Sequence, residues 1–296
     1  MAYKAKIQNT WGEVLQLNDQ EDRWVVESIT GLNPSQTILS LAPIYGMDGS
    51  RLNNAKLDTR NIVILLAIRG DCDANREALY QFFPQKMPVR FIYETSRREV
   101  YVDGYVEMID FDSFQRVELM QISIICPDPY FRDLTETVVK LENLQGGFEF
   151  PFSINIGDPV ELGTIVASRE TEVIIDSQTE TPFEIEITAR KQLYYFTSFT
   201  IQNVLTGEKI GFTGWPNDDG FCVGDVIRIS TDPYHPTMTL QIGDATYNRI
   251  PQMIQGGTFF TLHPGRNLFA YKTSTEPGDA DFLDISLKFR KLYRGV

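Results

Sequence analysis

Apolar and polar positions alternate with a period near two along most of this chain. The clearest stretch is Arg97–Phe131, RREVYVDGYVEMIDFDSFQRVELMQISIICPDPYF. Val100, Val102, Tyr105 and Val106 alternate loosely with Glu99, Asp103 and Glu107. After a polar turn at Asp110–Ser113, Val117, Leu119, Ile122 and Ile124 share a second run with Gln115, Arg116, Glu118, Gln121 and Ser123. Two such runs, rich in β-branched and aromatic residues, predict a hairpin of half-buried strands. Pro127 and Pro129 then stop the sheet, because proline donates no ladder hydrogen bond.

The same pattern predicts strands at Ala5–Ile7, Val14–Leu17, Trp24–Ile29 and Val89–Glu94. Asn61–Arg69 is apolar on both faces and predicts an interior strand. In the segment DCDANREALYQFFPQ, Ala74, Ala78, Leu79 and Phe82 fall at helical spacing. Asp71 or Asp73 supplies the N-cap and Pro84 the stop. The run from Ile44 to Asn61 is polar with few anchors and reads as an exposed loop. After Pro127, short strand candidates recur at Thr135–Leu144, Phe148–Ile156, Gly163–Ala167, Glu172–Ile175, Phe183–Ala189, Thr197–Val204, Val226–Ser230, Met238–Ile242, Thr258–Leu262, Leu268–Tyr271 and Phe282–Phe289. Turn signals such as PNDDG and HPGRN separate them. The whole is mainly β, with one short helix in a first domain (1–132) and a β-sandwich in a second (133–296).

Composition narrows the function. A hydrophobic content of 42% supports packed cores. No apolar run is long enough to span a bilayer, the longest candidate being Ile62–Ile68, and the N-terminus lacks the apolar core of a signal peptide. The net charge of −13 divides into −4 through Arg132 and −9 after it. This argues against nucleic acid as the main partner, as the lack of a long apolar run argues against membrane insertion. Cys72, Cys126 and Cys222 are far apart and form no metal or disulfide pattern, which fits reduced thiols.

The search for chemistry finds little. His235 and His263 each precede a proline in a turn, with no ligand partner at suitable spacing. Glu184 and Glu186 share one strand face, an arrangement that carboxylate hydrolases use, but a solvated strand face explains them better. Asn217–Gly220 lacks the spacing of a calcium loop. No phosphate-loop, dinucleotide or nucleophile-elbow motif is present. The expectation is a non-enzyme without catalytic residues, metal or cofactor. Trp215, Phe221, Tyr234, Tyr247, Phe259 and Phe260 flank loops of the second domain and would suit either a core with ordinary surface or a concave contact face for sugar or protein.

Several segments carry a resemblance in order and spacing: Met47–Arg51, IRGDCDANREALYQFFP, REVYVDGYVE with its return strand, ISIICPDPYF, TGEKIGF, FFTLHPGRNLFAY and the terminal KLYRGV. Together they resemble the distal tail proteins of siphophages. That resemblance implies a tail-tube-like N-terminal β domain and a galectin-like C-terminal sandwich. It further implies a homohexameric ring at the virion tail tip, made in the host cytoplasm. The ring would join the tail tube protein to the tail-associated hub protein and in some cases carry a receptor-binding protein. On this basis Met47, Asp48, Arg51, Lys86, Arg90, Arg97 and Arg98 are candidate intersubunit contacts, with the loop at 44–61 as an arm onto the next copy. Asp103, Glu107, Glu118 and Gln121 are candidates to line the lumen. The rival is a carbohydrate-binding sandwich that attaches to the host wall.

Overall fold

A computed structural model of the protein describes residues 4–17, 23–112, 117–141, 170–194, 196–214, 220–274 and 282–296. The chain divides into two compact units, one of Met1–Thr135 with Lys291–Val296, the other of Glu136–Arg290. The sequence suggested one crossing near Arg132. In the structure the last six residues return to the first unit.

The first unit contains β1 (Lys4–Gln8), β2 (Val14–Gln16), β3 (Trp24–Thr30), β4 (Thr37–Pro43), β5 (Ser50–Leu57), β6 (Arg60–Ile68), α1 (Cys72–Phe82), β7 (Pro88–Glu94), β8 (Glu99–Asp112), β9 (Leu119–Cys126) and β10 (Phe131–Asp133). Its main sheet runs β2-β1-β7-β8-β9-β6-β3. The alternation read from sequence becomes two faces. Val100, Val102, Met120, Ile122, Ile124, Ile62, Ile64 and Phe91 enter one core cluster with Leu79 of α1. Asp71 caps α1, its carboxylate accepting from the Ala74 amide at 3.2 Å, and Pro84 follows the last turn. Asp110 and Asp112 belong to β8, so the expected turn there begins later, and residues 113–116 lie outside the described residues.

The second unit contains β11 (Thr137–Lys140), β12 (Glu170–Ile175), β13 (Phe183–Ala189), β14 (Ser198–Asn203), β15 (Lys209–Thr213), β16 (Val226–Ser230), β17 (Thr237–Ile242), β18 (Ala245–Asn248), β19 (Gly265–Thr273) and β20 (Leu283–Phe289). β21 (Leu292–Tyr293) then pairs with β10 in the first unit. A six-stranded sheet, β11-β20-β13-β16-β17-β18, and a four-stranded sheet, β12-β19-β14-β15, share one core. Phe183 of the first sheet packs on Phe269 of the second, ring centres 6.1 Å apart. The expected β-sandwich is therefore present. The strands expected at Phe148–Ile156 and Gly163–Ala167 lie outside the described residues. Thr258–Leu262 is not a strand. Its alternating burial imitates one, but only Leu262 makes a bridge, to Thr181.

Candidate assembly surfaces of the N-terminal unit

Residues 44–61 are only in part a loop: 44–49 turn between β4 and β5, Ser50–Leu57 is β5 and Arg60 begins β6. β4 and β5 form an antiparallel hairpin that pairs with no other strand among the described residues. Ile38, Leu39, Leu41, Ile44, Tyr45, Met47 and Leu52 project from it, and each exposes at least 41% of its surface. An isolated two-stranded ribbon is marginal in water, and a contiguous apolar surface of this kind marks a contact site. Met47 and Asp48 sit in its turn and Arg51 just inside β5, all exposed.

The face of the main sheet away from the core is polar. Arg90 on β7 holds Asp103 on β8 through two hydrogen bonds of 2.7 and 3.0 Å, and stacks over Tyr101 at 4.1 Å. The bond to Asp103 raises the Arg90 pKa. The β8–β9 register slips between Val106 and Met108, leaving Glu107 in a β-bulge. Ser123 lies between Glu107 and Asn61, at 3.1 and 3.0 Å, so a polar row crosses β8, β9 and β6. Gln121 pairs in register with Asp110 and Leu65 on this same face. Glu118 parts company with Asp103, Glu107 and Gln121. It lies beside Cys72 at the start of α1, and its hydrogen bond to the thiol, aided by desolvation, raises the Cys72 pKa.

A groove of about 590 Å³ opens where α1 ends. Tyr80, Phe83, Pro84 and Lys86 line one wall, Val106, Glu107, Met108 and Ile109 the other. Lys86 has a left-handed backbone, φ +67°, which lets the chain turn sharply from α1 into β7. Residues 12–126, which carry the hairpin, the polar face and the groove, match the family model of the phage tail protein RIFT-related domain.

Solved structures extend the likeness to the full length of the chain. The Dit protein of phage SPP1, described as a paradigm of the hub adsorption apparatus of phages infecting Gram-positive hosts, matches with a TM-score of 0.69 at 13% identity, over 99% of this chain and 100% of that one. A chain from the phage P2 baseplate in its activated conformation with Ca matches with a TM-score of 0.56 at 14% identity, over the whole of both chains. At these identities the shared property is the distal-tail fold. No curated protein sequence matches.

The basic candidates do not form one cluster. Lys86 precedes β7 and Arg97 and Arg98 follow it, so seven strand residues separate them. Arg98 stacks over Tyr293 at 4.2 Å, while Lys86, Arg97 and Arg51 make no ion pair with a described residue. Sequence reasoning missed Arg60, a buried guanidinium at the start of β6. The only signal was its place at the border of an apolar strand.

Glu184 and Glu186 both lie on β13 in the second unit. Glu186 pairs with Lys288 at 2.9 Å and Arg228 at 3.1 Å. Phe221 and Phe260 are core residues, while Tyr234 and Tyr247 are exposed. Trp215 and residues 217–219 lie outside the described residues. His263 stands 3.6 Å from Glu180 and 3.7 Å from Glu208. Among the described residues no group of acids, histidines and cysteines is arranged to hold a metal ion.

Proposed function

We propose that six copies close into a ring through their first units, at the tail tip of a virion. The ring joins the tail tube protein to the tail-associated hub protein and carries receptor-binding protein at its rim. The exposed β4–β5 hairpin carries this reading. It is too poorly buried to be a finished part of a monomer, and its apolar residues need a neighbour. The distal-tail fold and the RIFT-related domain support the same role. Asp103, Glu107 and Gln121, on the sheet face opposite the core, are assigned to the lumen. Met47, Asp48 and Arg51 travel with the arm and are assigned to the contact between copies.

The test is the particle itself. Negative-stain images and mass determination of the full chain should show six-fold rings, alone or with purified tail tube and hub proteins. Replacing residues 38–56 by a short turn should leave a folded monomer by circular dichroism. A wild-type chain that stays monomeric and joins no tail component would overturn the reading.

A further inference from the structure

The main sheet has an open edge beside the groove. β7 pairs with β8 only as far as Pro88 opposite Tyr105. From Val106 to Asp112, β8 pairs with β9 on one side and with no described strand on the other. Seven residues of strand edge thus have no described partner strand on that side, and Val106, Glu107, Met108 and Ile109 among them line the groove at the end of α1. Their sequence, VEMIDFD, holds Glu107, Asp110 and Asp112 and no basic residue.

The hairpin arm has the opposite character. β5 has eight residues and among the described residues pairs only with β4, so no described strand covers its outer edge. Its sequence, SRLNNAKL, holds Arg51 and Lys56 and no acid or proline. Length, available backbone groups and charge are matched between β5 and the open half of β8. Open edges invite strand addition unless covered, and opposite charges on facing strands stabilise the pair.

We propose that β5 of one copy adds as a strand to the open edge of β8 of the next. The arm's apolar side chains would then cover the groove between Tyr80, Phe83 and Met108. The proposal rests on the ring reading and specifies its seat. The bulge at Glu107 suits that role, since it twists β8 and ends its match with β7 where the added strand begins. Lys86 and Glu107 both line the groove.

The test is a charge exchange in the full-length chain, read by particle mass and by electron microscopy. Arg51→Glu with Lys56→Glu should abolish rings, as should Asp110→Arg with Asp112→Arg. All four substitutions together should restore them. In wild-type rings, amide hydrogen exchange from Val106 to Phe111 should slow at least tenfold relative to the arm-deleted monomer. Rings that survive either charge reversal, with unchanged exchange along β8, would overturn the seat and leave the ring reading standing. Rings that form without residues 38–56 would overturn the arm itself.

Discussion

The Arg60 guanidinium lies 4.3 Å above the centre of the Phe131 ring. Only 2% of Arg60 is exposed, and burial lowers its pKa. Its hydrogen bonds go to backbone carbonyls of three segments. Nε donates to Pro129 at 2.7 Å, Nη1 to Asn33 at 2.7 Å and also to Gly31, and Nη2 to Arg294 at 2.6 Å. Arg60→Ala strands those carbonyls and removes the ring contact. It should destabilise the first unit by about 3–5 kcal/mol. Arg60→Lys should recover little of this, because an ammonium cannot span the fork of acceptors. Urea denaturation followed by Trp24 fluorescence measures both.

The carboxy-terminal strand is the second fastener of that unit. β21 lays Leu292 and Tyr293 against β10, both buried, and the Val296 amide donates to Leu32 at 3.1 Å. A chain ending at Arg290 loses two buried side chains and one acceptor of Arg60. It should lose about 3–5 kcal/mol from the first unit. The second unit should keep its melting transition, which calorimetry on the full-length and shortened chains would show. Equal losses in both transitions would contradict this.

Cys126 ends β9 in the core and is fully buried. Desolvation pushes its thiol up to about 12, against the pull of Arg60. At pH 8 about one molecule in ten thousand would carry the thiolate. Iodoacetamide should therefore spare Cys126 in the native protein and alkylate it only as the first unit unfolds. Mass spectrometry of labelled peptides across a urea series should show Cys126 following the Trp24 transition. In the Arg60→Ala variant, labelling should move to lower urea in step with the lost stability.

These features were unequally legible. β6, β7 and β9 could be read because one side of each is buried, so alternation or an apolar run is written into the chain. The helix could be read because Asp71, Leu79 and Pro84 fix its start, face and end. β4 and β5 could not. Both faces of the hairpin are exposed within one copy, so no burial pattern distinguishes Ser50–Leu57 from a loop. β21 is two residues long, below what periodicity can detect. Arg60 looked like the polar border of a strand, because burial of a cation depends on carbonyls 27 to 234 residues away in sequence. The acidic residues of β8 were seen, but not that half of its edge lacks a partner, which pairing alone reveals.

Glu184 and Glu186 occupy one face of β13, yet their environments pull them apart. Burial raises the Glu184 pKa, against the attraction of Lys288. Burial also opposes ionisation of Glu186, but hydrogen bonds and charge from Lys288 and Arg228 outweigh it and lower its pKa. A lowered folded pKa gives stability that is full above the ordinary glutamate value and lost as pH falls through the folded one. A raised folded pKa costs stability at neutral pH, and that cost is relieved on acidification through it. The second unit should therefore gain slightly as the pH drops toward about 4.5, then lose stability below about 4. Glu184→Gln should stabilise it at pH 7 and erase the gain. Glu186→Gln should cost about 1 kcal/mol at pH 7 and flatten the acid-side loss. Melting temperatures of the second transition between pH 3 and 7 would decide it, and identical profiles for the two variants would sink the assignment.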